Sequence, residues 1–485
     1  SVGSDAAQSA RCIRLNGVNP TFLRRLGVAI AFVGFAAAVS AAESARRPNV
    51  LLIMSDDLRT ELGCYGVAGI RTPNIDELAA RSVRFDRAIC QYPLCNPQRT
   101  SMLTGRYPTQ TGVMDNRQYW GRALPDAKTL PRWFKDHGYA TLRAGKIFHA
   151  GIDDTAAWLE GGEARRYADD ASERIDGPNR DPATKQPGET GNRASGSDRF
   201  EVYSGEGETN GDYRSATRTI ELLRKFGKEP QPFFMACGFS KPHSPTGAPQ
   251  KFYDLYDLEK IPLPPDFATK PTVPAGFPEL SVVPRNTDLF IGRESSAAQA
   301  REMKRAYWAS VSFVDANVGR VLAALDELGL RDNTIVVFIG DHGYHLGEKG
   351  RWSKAYSLFD VATRVPLLIA APGVSPAGGA VCARTVEVIN IYRTLADLCG
   401  LPEPAGVEGT SLRPLLRTPA AVWDRPAYSV VQYRGHLGRA VTTDRWHFAE
   451  WDRGEGGAML IDRVNDPHEL TNLIADPRQA AVTAH

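Results

Sequence analysis

Two apolar segments that end in polar pairs constrain the fold of this chain more than any other feature. The segments cover residues 49–54 and 334–339, and the pairs that follow them are Asp56-Asp57 and Asp341-His342. Continuous apolar runs bounded by polar residues are typical of strands that are buried on both faces of a parallel sheet. Ligands of open α/β sheets bind beyond the carboxyl ends of the strands. The two pairs therefore predict a site at one sheet edge.

The remaining pattern predicts an α/β fold. Predicted strands over 139–142, 232–239 and 365–370 alternate with predicted helices, which cover 74–80, 130–137, 213–226, 298–328 and 388–399. Such alternation indicates a large, mainly parallel sheet with helices on both faces. From about Val422 onward, short alternating runs at 427–432, 439–443, 446–451 and 459–462 predict a smaller C-terminal α+β subdomain with an antiparallel sheet.

The first residues have the pattern of an export signal. Arg24 and Arg25 precede an apolar run over 27–39, which is followed by small residues up to Ala42. This order is typical of a secretory signal peptide, and the run is shorter than the roughly 20 residues that a membrane-spanning helix needs. We expect a periplasmic or extracellular protein without stable membrane insertion.

These observations predict three regions. Residues 1–42 form an N-terminal extension with the signal peptide, 43–421 a large α/β domain that carries the predicted site, and 422–485 the C-terminal subdomain. Within the large domain, residues 151–211 lose all periodicity and predict a surface insertion of the kind that is usually functional or disordered.

Charge and cysteine content exclude two classes of protein. The formal net charge of the chain is +2, and residues 1–42 carry four Arg and one Asp, so the mature chain is close to −1. A chain without a global basic field is not expected to bind nucleic acid. Seven cysteines in 485 residues are too few for a disulfide scaffold. Removal of residues 1–42 would take Cys12 with it and leave six cysteines.

The polar pairs by themselves allow two interpretations. Three carboxylates that converge at one sheet edge would repel one another unless a cation lay between them, and oxygen-rich sites prefer hard divalent ions such as Ca²⁺ or Mg²⁺. A single Asp-Asp pair after a strand is more commonly a turn or a helix cap.

Cys95 and Arg99 form a second candidate site. Cys95 precedes a predicted helix over 100–103, and a helix N-terminus stabilises a thiolate, as does a nearby arginine. The alternative is a buried structural cysteine. Other cations lie at strand or loop ends, where a lone Lys or His is usually a solvated surface group; they are Lys146, His149, Lys241, His243 and Lys354. Gathered opposite a metal, they would suit a tetrahedral oxyanion.

With these motifs in place, the chain resembles the sulfatase family. The resemblance rests on Pro48-Asn49-Val50 before Asp56-Asp57, on Cys95-x-Pro97-x-Arg99 before Leu103-Thr104-Gly105-Arg106, on Gly145-Lys146, and on Asp341-His342-Gly343. Within the family it is most similar to the iduronate-2-sulfatase branch. The strings that carry this are Lys146-Ile-Phe-His149, Lys241-Pro-His243, Tyr344-His345-Leu346-Gly347-Glu348 and Phe359-Asp360-Val-Ala-Thr363. The resemblance implies an alkaline-phosphatase-like fold.

The resemblance also implies a mechanism. A formylglycine-generating enzyme would oxidise Cys95 to an aldehyde, which hydrates to a gem-diol. One hydroxyl attacks the sulfur of a sulfate ester, the alcohol leaves, and the second hydroxyl collapses the hemiacetal and expels sulfate. The family usually has Ser, Thr or Ala where this chain has Gln98, which bears on how efficiently Cys95 is oxidised.

The resemblance further implies one bound metal ion, for which Ca²⁺ is better suited than Mg²⁺. Its ligands would be Asp56, Asp57, Asp341, His342 and the Cys95-derived oxygen. Arg99 and Lys146 would orient the hydrate, with His149 assisting. The sulfate would be held by Lys241, His243 and Lys354, and His243 or Lys354 would protonate the leaving oxygen. Lys349 competes with Lys354 for this role.

The expected reaction is hydrolysis of a sulfate ester on a carbohydrate, with a 2-sulfated uronate at a chain end as the candidate. Two alternatives stay open. A phosphonate monoester or phosphodiester hydrolase of the same superfamily would use the same metal and aldehyde. A carbohydrate-binding relic would have a dead site.

Overall fold

The computed structural model describes residues 47–163 and 198–483. The predicted signal peptide over 24–42 and the middle of the predicted insertion, 164–197, lie outside the described residues.

The described residues form thirteen strands. They are β1 (Asn49–Asp56), β2 (Val83–Ile89), β3 (Ala140–Gly145), β4 (Phe200–Tyr203), β5 (Phe233–Pro242), β6 (Thr246–Pro249), β7 (Thr334–Gly340), β8 (Arg364–Ala370), β9 (Ala380–Glu387), β10 (Ala427–Tyr433), β11 (His436–Thr442), β12 (Trp446–Trp451) and β13 (Ala458–Asp462).

The described residues also form twelve α-helices. They are α1 (Pro73–Ala79), α2 (Cys95–Thr104), α3 (Pro108–Thr111), α4 (Trp120–Ala123), α5 (Leu130–Asp136), α6 (Gly211–Phe226), α7 (Gln250–Tyr253), α8 (Ala297–Glu327), α9 (Asp360–Thr363), α10 (Asn390–Leu398), α11 (Arg413–Arg417) and α12 (Ala480–Thr483).

The main sheet has seven strands in the order β3-β5-β1-β7-β8-β2-β9. Strand β1 pairs in parallel with β5 and β7, β3 is parallel to β5, and β2 is parallel to β9. Only β8 is antiparallel to its two neighbours, β7 and β2. Six of the seven strands therefore point the same way. The predicted mainly parallel sheet is confirmed, and the carboxyl ends of these six strands share one edge.

Both faces of the sheet are covered, as predicted. Successive β1 residues alternate between two cores: Leu51 and Ile53 face the layer that contains helices α1, α6 and α8, and Leu52 faces the layer that contains α2, α5 and α10. Such burial on both faces explains why β1 is apolar at every central position. The long helix α8 begins with a capping box between Ser296 and Gln299.

The C-terminal sheet is also confirmed. Strands β10 to β13 form an antiparallel meander in sequence order. Its inner face has a small core of its own, which includes Val431, Trp451 and Met459 together with Phe359, the residue before helix α9.

Two strands of the main sheet, β2 and β9, are not predicted by the sequence pattern. In β2 the buried Val83 and Phe85 alternate with half-buried charged residues, so that no continuous apolar run marks the strand. The described beginning of the predicted insertion is also more buried than expected. Ile152 and Trp158 pack into the core, and the Asp153 carboxylate pairs with Arg143 at 2.5 Å.

The described ranges contain neither a membrane-spanning helix nor a disulfide. None of their helices is both long and apolar enough to span a membrane. No disulfide joins the cysteines among these residues, and all except the partly exposed Cys64 are buried.

Candidate active site

The parallel strand directions bring the predicted site residues to one edge of the sheet. Asp56 is the last residue of β1 and Asp57 follows it, while Asp341 and His342 follow β7 directly. The neighbouring strands contribute residues at the same edge, because β3 leads into Lys146 and β5 ends beside Lys241 and His243. The predicted site edge is thus formed by the carboxyl ends of four adjacent parallel strands.

Cys95 lies between the two polar pairs. It is the first residue of helix α2, and its Sγ atom is 3.3 Å from Asp56 Oδ1 and 3.4 Å from His342 Nε2. One turn later, Arg99 Nε donates to Asp341 Oδ2 at 2.8 Å, and Arg99 Nη2 lies 3.6 Å from Asp56 Oδ1. Cys95 and Arg99 are therefore both directed into the carboxylate cluster by the same short helix.

Two lysines pair with the two carboxylates at the end of β1, those of Asp56 and Asp57. Lys146 Nζ forms a short contact with Asp56 Oδ2, and Lys354 Nζ donates to Asp57 Oδ2 at 2.9 Å. Lys349 is directed elsewhere, because its Nζ donates to Asp266 Oδ2 at 2.8 Å. Of the two candidate lysines in this loop, Lys354 is the one at the site.

The position of Lys146 depends on a close approach of two glycines. Gly145, at the end of β3, has φ +73°, and a Cβ placed there would lie 2.0 Å from the carbonyl oxygen of Gly238. A Cβ at Gly238 would lie 2.0 Å from the carbonyl oxygen of Lys146. Only glycine fits at both positions, and the tight contact holds Lys146 against the end of β5.

Of the other predicted cations, His243 also approaches Cys95, because ligand atoms of Asp57, Cys95 and His243 lie within 4.8 Å of one another. His243 Nε2 is 3.9 Å from Asp57 Oδ2, and the His243 side chain keeps 32% of its surface exposed. Lys241 Nζ donates to Pro245 O at 2.5 Å. His149 is half-buried, and within the described part of the chain its Nδ1 atom has no hydrogen-bond partner.

Burial and charge act together on the acids of the cluster. Burial would raise the pKa of Asp56, but the positive charges of Lys146, His243 and Arg99 outweigh it and hold that pKa well below its ordinary value. Burial and the charge of Asp56 raise the pKa of Asp341 to about 7. The cluster therefore holds one firmly ionised carboxylate beside one that takes up a proton readily.

The same charges act on Cys95 and His342. Burial disfavours the Cys95 thiolate, yet Lys146, Lys354 and His342 hold the pKa of the thiol well below its ordinary value. Burial would lower the pKa of His342, but Asp341 and Cys95 raise it to about 10. A side chain at position 95 thus has an environment that favours a negatively charged atom.

The donor set fits a hard divalent cation. Ligand atoms of Asp56, Cys95, Asp341 and His342 all lie within 4.8 Å of one another. In the described ranges, the buried Asp57 Oδ1 atom accepts no hydrogen bond. Its recorded contact is with His342 Nδ1 at 3.4 Å. Buried polar atoms are normally hydrogen-bonded, and a carboxylate-rich cluster in which one oxygen is not is suited to Ca²⁺ or Mg²⁺.

Three residues next to the site were not predicted from the sequence. Asp288 Oδ2 lies 3.4 Å from Lys354 Nζ. The Tyr307 hydroxyl donates to the Asp57 carbonyl at 2.7 Å, and Arg59 Nη1 pairs with Glu348 at 2.7 Å. Tyr307 belongs to the apolar stripe of α8, and its spacing in the sequence predicts a core residue. Its contact with Asp57 is therefore visible only in the folded structure.

Comparison with known proteins agrees with this geometry. Residues 48–401 match the sulfatase family model, and 347–485 match that of the C-terminal region of N-sulphoglucosamine sulphohydrolase. The chain is 36% identical to iduronate 2-sulfatase of Mus musculus over 438 residues, which cover 79% of this chain and 75% of the relative. It is 34% identical to a sulfatase of Formosa agariphila, with coverage of 88% and 83%.

A solved structure supports the same assignment. A 2-O GAG sulfatase superposes with a TM-score of 0.65 at 25% identity and covers 90% of each chain. The resemblance to the iduronate-2-sulfatase branch and the predicted fold are thereby confirmed. The family match covers most of the chain. The chain belongs to the sulfatase family and is a sulfuric ester hydrolase.

Proposed function

We propose that this enzyme removes sulfate from sulfated carbohydrates by means of a hydrated formylglycine derived from Cys95, with a bound divalent cation. The observation that carries the proposal is the position of Cys95 Sγ, 3.3 Å from Asp56 Oδ1 and 3.4 Å from His342 Nε2 at the sheet edge. A structural cysteine would be expected among apolar side chains. Cys95 lies instead among ionised groups at the start of a helix.

The hydrated aldehyde would supply a nucleophilic hydroxyl and a second hydroxyl through which sulfate can be expelled. The chain's own residues orient it. Arg99 is fixed by Asp341 and by the carbonyls of Lys146 and Ile147, at 2.7 and 2.9 Å, so its guanidinium is rigid beside position 95. Lys146 places an ammonium on the opposite side of Asp56. His149 would assist from the periphery, and its unpartnered Nδ1 leaves it able to bind a hydroxyl.

The cation would be held by Asp56, Asp57, Asp341, His342 and the oxygen at position 95, and we propose Ca²⁺ in preference to Mg²⁺. Its chemistry would be to draw charge from the sulfate oxygens and to lower the pKa of a hydroxyl. Three carboxylates within one buried cluster support an oxygen-preferring ion.

We propose that Lys354, His243 and Lys241 hold the sulfate group. Lys354 is buried and pairs with both Asp57 and Asp288, so its charge is fixed beside the carboxylate cluster. His243 is partly exposed at the rim, where the leaving oxygen of a bound ester would lie. His243 is therefore the better placed of the two to protonate that oxygen, because it can exchange protons with solvent.

The substrate class rests on the relatives. One is named for iduronate 2-sulfate and the structural neighbour for 2-O-sulfated GAG. We propose a sulfated saccharide, with a 2-sulfated uronate at a chain end as the first candidate. Because the net charge of the chain is near zero, attraction for such an anion must come from the local cations.

We also propose that residues 24–42 direct export and that the mature enzyme consists of a catalytic domain, 43–421, and a C-terminal subdomain, 422–485. The order of charged, apolar and small residues supports the signal. Sequencing the N-terminus of the protein recovered from periplasm or medium tests this, and an intact residue 24 in that fraction would contradict it.

The decisive assay measures sulfate release. Full-length enzyme made together with a formylglycine-generating enzyme should release sulfate from an aryl sulfate and from members of a panel of defined sulfated saccharides. It should act more slowly on an aryl phosphodiester. Cys95→Ala should release none. Treatment with a chelator should abolish activity, and Ca²⁺ should restore more of it than Mg²⁺. Faster turnover of the phosphodiester would overturn the proposal.

A further inference from the structure

The first strand of the C-terminal sheet runs alongside the segment that leads to Cys95. Val430 N donates to Gln91 O at 2.9 Å, and Gln432 N donates to the Tyr92 hydroxyl at 3.0 Å. Both segments advance in the same direction, so the end of β10 lies toward position 95. The turn between β10 and β11 is therefore brought near the site.

That turn is rigid. Tyr433 pairs with His436, and the two residues between them, Arg434 and Gly435, have φ values of 52° and 91°. Two consecutive positive φ values are typical of the tight turns that match the twist of a hairpin. We call residues 433–436 the hairpin tip. It presents Tyr433 half-buried and Arg434 exposed.

A second turn lies on the catalytic side and carries Lys354. Ser357 N donates to Lys354 O at 3.3 Å, and Tyr356 within this turn has φ 68°, a conformation that a bulky residue rarely adopts. The buried Arg351 supports the turn by donating to Ala355 O at 3.0 Å. Backbone strain of this kind persists only where the surroundings enforce it, and it is found mainly at functional sites.

The two turns meet through their tyrosines. The ring centroids of Tyr356 and Tyr433 are 4.9 Å apart, with the planes inclined by 47°. Tyr356 also packs on a small apolar cluster that contains Leu94, the residue directly before Cys95. A half-buried aromatic pair, with one ring from each turn, thus joins the turn that carries Lys354 to the hairpin tip.

Arg434 differs from the neighbouring charged residues in its lack of an ion pair within the described ranges. His436 pairs with Asp452 at 2.5 Å, and Arg439 pairs with Glu450. Arg434 forms no ion pair with any residue of the described ranges and lies with its guanidinium 5.3 Å from the centre of the Tyr433 ring. It is an exposed cation held beside the aromatic pair.

We propose that Tyr356 and Tyr433 form one wall of a saccharide subsite and that Arg434 binds a carboxylate of the sugar seated there. The inference rests on the proposed function, because it assumes that the sulfate lies at Lys354. Aromatic rings supply large contact area with little loss of side-chain entropy, and a guanidinium binds a carboxylate through two parallel hydrogen bonds. Arg434 is thereby a residue that determines specificity for uronate-containing substrates.

The test uses binding rather than turnover. Full-length Cys95→Ala protein is titrated by calorimetry with a 2-sulfated uronate-containing disaccharide and with its carboxyl-reduced counterpart. The uronate form should bind about tenfold more tightly, as expected for hydrogen bonds to a charged group. Adding Arg434→Ala should remove this preference by weakening only the uronate form. Adding Tyr433→Ala should weaken both forms about threefold to tenfold.

Arg445→Ala is the matched control, because Arg445 lies at the opposite end of the same sheet and pairs with Asp462 at 2.8 Å. It should leave both affinities unchanged. Equal binding of the two disaccharides to Cys95→Ala protein would overturn the subsite even if an Arg434 variant failed to fold, and so would the absence of binding by either. Wild-type turnover of an aryl sulfate is measured separately, since its loss would overturn the proposed function but not the subsite.

Discussion

The Tyr307 hydroxyl donates a hydrogen bond of 2.7 Å to the backbone carbonyl of Asp57. The same hydroxyl accepts from Arg59 N at 3.1 Å, so it bridges the chain on both sides of Leu58. Asp57 has φ 62°, in the left-handed region that residues with a side chain seldom occupy. A residue of the long helix thus stabilises the strained backbone that directs the Asp57 carboxylate into the site.

Tyr307→Phe should weaken cation binding. The change leaves a buried carbonyl without its donor, which costs about 1–3 kcal/mol, and it releases the backbone at Asp57. We expect the increase in melting temperature produced by added Ca²⁺ to shrink relative to that of wild type. Tyr256→Phe is the control, because Tyr256 also loses a buried contact, at 2.5 Å to Ser312 Oγ, away from the site. A calcium response in Tyr307→Phe equal to that of the control would contradict this role.

Lys354→Met should abolish most of the activity, whereas Lys349→Met should not. The two lysines are matched in burial, with 3% and 2% of their side chains exposed; Lys354 pairs with Asp57 at 2.9 Å and with Asp288 at 3.4 Å, and Lys349 pairs with Asp266 at 2.8 Å. Breaking either buried pair costs about 3–5 kcal/mol of stability. Only the Lys354 variant would also lose the proposed contact to the sulfate group, so we expect its kcat on an aryl sulfate to fall at least about 100-fold. Equal losses of kcat per folded enzyme would contradict the assignment.

Acid should destabilise the protein partly through His345. This buried imidazole is bonded to Ser357 Oγ at 2.8 Å, and burial lowers its pKa from 6.5 to about 3. Because the folded pKa lies below the unfolded one, the stabilisation is complete above pH 6.5 and is lost as the pH falls toward 3. The loss is about 1.4 kcal/mol per pH unit in that window.

His345→Gln removes this titration while keeping a polar side chain. Urea unfolding at pH 7 and pH 5 should show a smaller acid-induced loss of free energy for the variant than for wild type. An identical pH dependence in the two proteins would show that His345 is protonated in the folded state.

Gln98→Ser should affect stability and leave maturation unchanged. The Gln98 Oε1 atom accepts from Gln91 N at 2.7 Å and from Tyr92 N at 3.1 Å, which fixes the turn before helix α2. Serine is too short to reach both amides, so we expect a loss of about 1–3 kcal/mol in the free energy of unfolding. The fraction of Cys95 converted to the aldehyde, measured by peptide mass, should match that of wild type. A clear rise in conversion would show that Gln98 impedes oxidation.

The sequence was sufficient to predict the edge of the sheet at which the site lies. Asp56 and Asp341 follow long apolar runs, and such runs are specific for buried parallel strands. Strand β2 was missed because its arginines and Asp86 interrupt the apolar pattern while remaining half-buried at the edge of the core.

Contacts made by residues far apart in the chain could not be predicted. Asp288 lies in a loop without periodicity, and nothing local indicates that its carboxylate approaches Lys354. The choice between Lys349 and Lys354 was equally open, since both follow the same motif within a few residues. The contacts in the folded chain distinguish the two lysines. The ammonium of Lys349 donates to Asp266, whereas that of Lys354 donates to Asp57 at the site.

The central claim is that Cys95 becomes the catalytic aldehyde. It is tested most directly by the mass of the tryptic peptide containing Cys95, from enzyme made with and without a formylglycine-generating enzyme, set against the rate of sulfate release by the same two samples. We predict that the aldehyde form appears only with the maturation enzyme and that activity is proportional to its fraction. Full sulfatase activity from a sample in which Cys95 is entirely unmodified would contradict the account.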